Sequence, residues 1–93
     1  NFSKVITNKD VTTFLEIAGD ENELHVNGKR LVPGNLLITI LESYCPGQSS
    51  ISLRFYQAVY VGEKLKFKIV GDEIMIFNTN DKIIALGAWN FNG

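Results

Sequence analysis

VPGNLLITILESYC, residues 32–45, decides how this chain folds. Pro33 stands where a helix can begin, and good helix formers follow it. Leu36, Leu37, Ile38, Ile40, Leu41, Tyr44 and Cys45 place apolar side chains around most of the circumference. Asn35, Thr39, Glu42 and Ser43 leave only a narrow polar stripe. A helix apolar on nearly every side is normally buried. The rest of the chain must therefore supply something that wraps it.

Downstream, the hydrophobic period changes to two. Ile51, Leu53 and Phe55 alternate with Ser52, Arg54 and Tyr56, and Leu65, Phe67 and Ile69 alternate with Lys64, Lys66 and Lys68. Residues 74–77 read as a third strand and 82–91 as a fourth. Turn signals fall at Gly62-Glu63, Gly71-Asp72 and Asn80-Asp81. Alternation between tight turns indicates an antiparallel sheet. One buried helix followed by a meander predicts a two-layer α+β domain over residues 1–93.

Upstream, residues 2–6 (FSKVI) form a short candidate strand. Thr7 and Asp10 have capping-box spacing. Val11, Phe14, Leu15 and Ala18 then give a short helix one apolar face, and Gly19 stands where a left-handed C-cap is expected. Asn27-Gly28, between Leu24/Val26 and Leu31/Val32, predicts a tight hairpin turn.

Composition excludes several classes. The formal charge is −1, without the basic excess of a nucleic-acid or anionic-membrane binder. No apolar run reaches the ~18 residues of a membrane helix, and no signal peptide is visible. One cysteine, Cys45, cannot close an internal disulfide, which points to a reducing, cytoplasmic setting. One histidine and one cysteine make a metal centre an unfavourable reading. No phosphate loop and no Gly-x-Ser-x-Gly motif is present.

The chemistry gathers in AGDENELHVN, residues 18–27. Asp20 and His25 are five apart, so a helix would not bring them together, but a turn after Gly19 could. A carboxylate and an imidazole sharing one water can act as general acid and base. Asn22 could brace the turn through a side-chain-to-backbone bond. The plainer alternative is a polar turn followed by an exposed strand histidine, and composition alone favours it.

The same residues carry a resemblance. ITNKDVTTFLEIAGDENELH resembles the start of MaoC-like dehydratases and (R)-specific enoyl-CoA hydratases, with their Gly-Asp-x-Asn-Pro-Leu-His. Gly19, Asp20, Asn22, Leu24 and His25 match it, and Glu23 replaces the proline. HVNGKRLVPGNLL resembles a stretch of the β-hydroxyacyl-ACP dehydratases through His25, Gly28, Pro33 and Gly34. ISLRFYQAVYVGEKLKF resembles a strand pair common to both groups through Phe55, Val59, Gly62 and Leu65. Both groups have the hotdog fold, an antiparallel sheet wrapped around one central helix. The resemblance covers nearly the whole chain.

It implies a hydratase or dehydratase, a lyase of fatty-acid metabolism acting on enoyl or 3-hydroxyacyl thioesters. The substrate would be carried on coenzyme A or acyl carrier protein, with no other cofactor. Asp20 and His25 would be catalytic, and Asn22, Gly34 and Thr39 would bind substrate. The Gly34 N–H, helped by the helix dipole, would face the thioester oxygen. Thr39 could equally bond back to its own helix. A homodimer or higher oligomer is implied, with neither nucleic acid nor membrane as partner.

The departures from these families define the rivals. The crossing from His25 to the central helix is shorter than in MaoC-like proteins. Thr39 stands where the ACP dehydratases carry a catalytic glutamate. Glu42 on the polar stripe suits a hotdog thioesterase, or is simply solvated. A non-catalytic hotdog that binds an acyl or other small ligand is the third reading. Lys64, Lys66, Lys68 and Arg54 could meet coenzyme A phosphates or an acidic carrier protein, but an outer strand face explains them more simply. Trp89, Phe91 and Phe77 read as core or subunit contact.

Overall fold

The computed structural model describes residues 1–19, 24–45, 47 and 49–91. The elements run β1 (Phe2–Val5), α1 (Asn8–Ala18), β2 (His25–Val26), β3 (Lys29–Arg30) and α2 (Gly34–Glu42), then β4 (Ser49–Phe55), β5 (Lys64–Val70), β6 (Glu73–Phe77) and β7 (Ile83–Phe91). Five strands form one antiparallel sheet in the order β1-β5-β6-β7-β4, and β2-β3 is a separate hairpin. The meander β5-β6-β7 is its centre, and β1 and β4 are its edges.

Alternation sorts the strands as the period predicts. Leu65, Phe67, Ile74, Ile76 and Ala85 are buried on the inner face. Leu36, Leu37 and Leu41 of α2 and Val11 and Leu15 of α1 join them in one core. The molecule is only 19 Å through its thinnest direction, which allows one sheet and one helical layer.

Local chemistry starts and stops the helices. The Asp10 amide donates to Thr7 Oγ1 (3.1 Å) and the Thr7 amide to Asp10 Oδ2 (2.9 Å), closing the capping box on α1. The Thr7 amide, more than its hydroxyl or Lys4, holds the Asp10 carboxyl below its usual value against the effect of partial burial. Gly19 ends α1 at φ 69°.

The second helix is shorter than its apolar run, ending at Glu42 rather than Cys45. The Ser43 hydroxyl donates to the Ile40 carbonyl at 2.6 Å. Tyr44 leaves the helix to stack on Phe2, with ring centroids 3.8 Å apart, and Phe2 stacks in turn on Phe67. Pro46 also disfavours a helical Cys45. Nor is α2 covered on every side: Asn35, Thr39 and Glu42 are exposed, and Ile38 and Ile40 only half-buried.

Asn27 and Gly28 both have positive φ, 52° and 76°, as a type I′ hairpin turn requires. A Cβ on Gly28 would meet nothing within 4 Å, so its replacement is resisted by backbone strain alone. Gly28→Val is expected to cost ~1–3 kcal/mol. Thermal melting checks this, and an unchanged midpoint would refute the assigned turn.

The remaining aromatics divide. Trp89 packs against the core, and its Nε1–H donates to the Gly71 carbonyl at 2.9 Å. Phe77 lies on the outer sheet face, paired across to Lys66, and Phe91 is exposed. Strand β5, which carries the three lysines, is internal rather than an edge. Lys66 is bonded to Asp81 at 2.7 Å.

Candidate active site

Two grooves flank α2. The first, about 400 Å³, lies at its N-terminus, between Val32, Gly34 and Leu37 on one side and Phe55, Tyr56 and Gln57 on the other. The second, about 570 Å³, runs between the helices, with Phe14, Ile17 and Ala18 facing Leu36, Thr39 and Ile40.

Gly34 belongs to the first groove. It is the first residue of α2, behind Pro33. The opening amides of a helix lack intrahelical acceptors. The Leu36 amide turns back to the Pro33 carbonyl at 3.1 Å, and those of Gly34 and Asn35 precede it at the positive end of the helix dipole. A Cβ at Gly34 would lie 3.0 Å from the Phe55 ring. Glycine thus lets that ring close over the start of the helix, a contact the glycine-before-helix pattern did not reveal. Phe55, read from sequence only as a strand-motif residue, lines the site together with Tyr56 and Gln57, which the sequence did not mark as site residues. Their only signal was position in the strand motif, which Phe55 itself helps to define.

Thr39 belongs to the second groove, not the first. Its hydroxyl donates to the Asn35 carbonyl at 3.0 Å, the back-bonded arrangement weighed as its alternative role. The structure therefore does not bring Gly34 and Thr39 together. Glu42 is exposed on the polar stripe of α2.

His25 is exposed, lines neither groove, and pairs with Arg30 across the hairpin. It stands beside the first groove nonetheless. The Leu31 amide donates to the Leu24 carbonyl at 2.8 Å, and Leu31 lines that groove. Asp20 and Asn22 lie outside the described residues.

A further residue holds the hairpin. One guanidinium nitrogen of Arg30 donates to Thr12 Oγ1 (2.9 Å) and the Asn8 carbonyl (3.2 Å), tying β3 to the first turns of α1. Nothing in the sequence pattern marked it. Burial pushes the Cys45 thiol up, which makes it a poor nucleophile. Among the described residues no cluster of three acidic, histidine or cysteine side chains could hold a metal, and no helix is long and apolar enough to cross a membrane.

No family profile matches the sequence, and no curated protein matches it. Solved structures do. An (R)-hydratase from A. caviae involved in PHA biosynthesis is 20% identical, with a TM-score of 0.71 over 95% of this chain and 89% of that one. The R-hydratase PhaJ1 of Pseudomonas aeruginosa is 21% identical, with a TM-score of 0.71 over 97% and 76%. The protein af1124 of Archaeoglobus fulgidus is 23% identical, with a TM-score of 0.67 over 95% and 71%. With one central helix against an antiparallel sheet in the order β1-β5-β6-β7-β4, this chain is a hotdog-fold domain similar in architecture to (R)-hydratases.

Proposed function

We propose that this domain binds acyl thioesters and adds water to an enoyl group, or removes it from a 3-hydroxyacyl group. The observation that carries the reading is the start of α2. There Gly34, at the positive end of the helix dipole, lines an apolar groove together with the Phe55 ring. Hydration drives negative charge onto the thioester oxygen, and a fixed N–H at a helix N-terminus stabilises that charge most where water is excluded. The acyl chain would occupy the groove, whose volume falls within the range of small-ligand sites.

Asp20 and His25 would share one water. Its oxygen adds to Cβ, one of its protons passes to the pair, and a proton is delivered to Cα. The balance is H and OH across a double bond, so no cofactor is needed beyond the coenzyme A or carrier protein that bears the substrate. Two of the similar solved structures are (R)-hydratases, which supports the reaction class.

We also propose a homodimer in the cytoplasm. Strand β4 leaves one edge unpaired within the chain, and Phe55 at its end is 40% exposed. Pairing with a second copy would cover that edge and wall the first groove.

A binding-only reading has one observation in its favour, the exposed position of His25 outside both grooves. Incubation with crotonyl-CoA separates the readings. The expected result is loss of enoyl absorbance without release of free thiol. Thiol release would replace this reading with a thioesterase, and no change would leave the ligand-binding domain.

A further inference from the structure

The outer face of the sheet breaks the rule that the inner face obeys. In an antiparallel sheet with one solvated face, outward residues are polar. On β6 and β7 they are Met75, Phe77, Ile83, Leu86 and Ala88, alongside Glu73. The runs EIMIF and IIALGAW are apolar on both faces, as strands covered on both sides are. Yet both helices join the core on the inner side, and Ile83 is 41% exposed on the outer.

Cations border this strip. Register places Lys68, Met75, Leu86 and Arg54 in one cross-strand row, a cation at each end and two apolar residues between. Lys64 and Lys66 extend the cationic side along β5. Three strand spacings separate Lys68 from Arg54, roughly 14 Å. An α-helix with its side chains is roughly 10–12 Å across. A helix laid along the strip would thus bring one flank to the β5 lysines and the other to Arg54.

We propose that the outer face of β4–β7 is a docking surface for an acidic amphipathic helix of a partner protein. The helix presents an apolar stripe to Met75, Phe77 and Leu86. Its flanking carboxylates meet Lys64 and Lys68 on one side and Arg54 on the other. Apolar centre and charged rim are the ordinary anatomy of a protein interface. A second copy of this face does not fit, because it would set cations against cations or apolar residues. Among the described residues of β4–β7, Glu73 is the outward carboxylate, and the nearby Asp81 is already bonded to Lys66. A lipid surface fits less well, because the chain has a formal charge of −1 and no basic excess to hold anionic headgroups.

The test uses a labelled helical peptide of about 15 residues, ~22 Å long. It carries leucines at i, i+3, i+4 and i+7 between glutamates, and a control peptide carries lysines in place of the glutamates. Fluorescence anisotropy should show binding of the glutamate peptide alone, weakening as salt rises. Amide shifts should map that binding to β6 and β7. Lys68→Glu and Arg54→Glu, on opposite sides, should each weaken it ~10-fold or more, because each sets like charges together. Leu86→Ser should weaken it without changing the salt dependence. Matched melting curves establish that a variant is folded, and either charge reversal alone suffices. The proposal is overturned by absence of binding, equal binding of the lysine peptide, or shifts confined to α1 and α2. Capture of the protein by phosphatidylserine vesicles without peptide binding would also overturn it. So would sedimentation showing that Leu86→Ser dissolves a dimer.

Discussion

Gly87→Ala is expected to destabilise this protein strongly. Gly87 pairs with Leu53 of β4 and Ile74 of β6. An ideal Cβ there overlaps the backbone carbonyl oxygen of Ser52 and comes within 2.8 Å of Leu53 Cδ2. The first obstacle is backbone, so no rotamer change relieves it. Strand β4 must move away from β7, its only neighbour in the sheet. It also carries Ile51 and Leu53 against the core. Overpacking ordinarily costs ~1–3 kcal/mol, and a clash that displaces a strand belongs at or above the top of that range. For a domain of this size, 3 kcal/mol lowers the melting midpoint by roughly 12–24 °C. A midpoint within a few degrees of wild type would mean that β4 does not approach Gly87 as described.

The second large effect concerns turnover. Asp20→Asn and His25→Ala should each reduce hydratase activity ~10²-fold or more with little change in melting temperature. His25 is exposed, so its removal deletes no core volume. The double variant should be scarcely worse than either single, because two groups acting on one water are not additive. A merely structural turn gives the reverse: lower stability with Asp20→Asn, and wild-type turnover per folded molecule. Glu42→Gln is the control. Should it abolish activity while the other two do not, the carboxylate of α2 is the base and the Asp20–His25 stretch is only a turn.

What could be read from the sequence was what neighbouring residues decide. The Thr7–Asp10 box, the Gly19 cap and the Asn27-Gly28 turn each close within four residues, and all three form as read. The two-residue period of β4 and β5 was legible because one face of each is polar. On β6 and β7 the apolar outer face hid the alternation. The end of α2 was misjudged because Tyr44 is drawn out by Phe2, distant in sequence. The site suffered most from this limit. Phe55 reaches Gly34, and Arg30 reaches Asn8 and Thr12, across about twenty residues of chain. Such pairings depend on how layers stack, which periodicity does not encode. For the same reason the spacing of Gly34 and Thr39 gave no sign that they face different grooves.

Arg30 has a consequence for motion. The hairpin is only two residues deep on each side, too short to persist on its own pairing. Its guanidinium is held at the N-terminal turns of α1, where the helix dipole disfavours a cation. The stability of the segment bearing His25 is therefore coupled through Arg30 to the start of α1, although the chain separates them by more than fifteen residues. Loosening the Thr7 cap would weaken this tie, leaving the hairpin held by the bond from the Val61 amide to the Arg30 carbonyl. Replacing Arg30 should therefore speed solvent exchange both at the amides of residues 8–12 and at those of 25–30, although the two segments are distant in sequence.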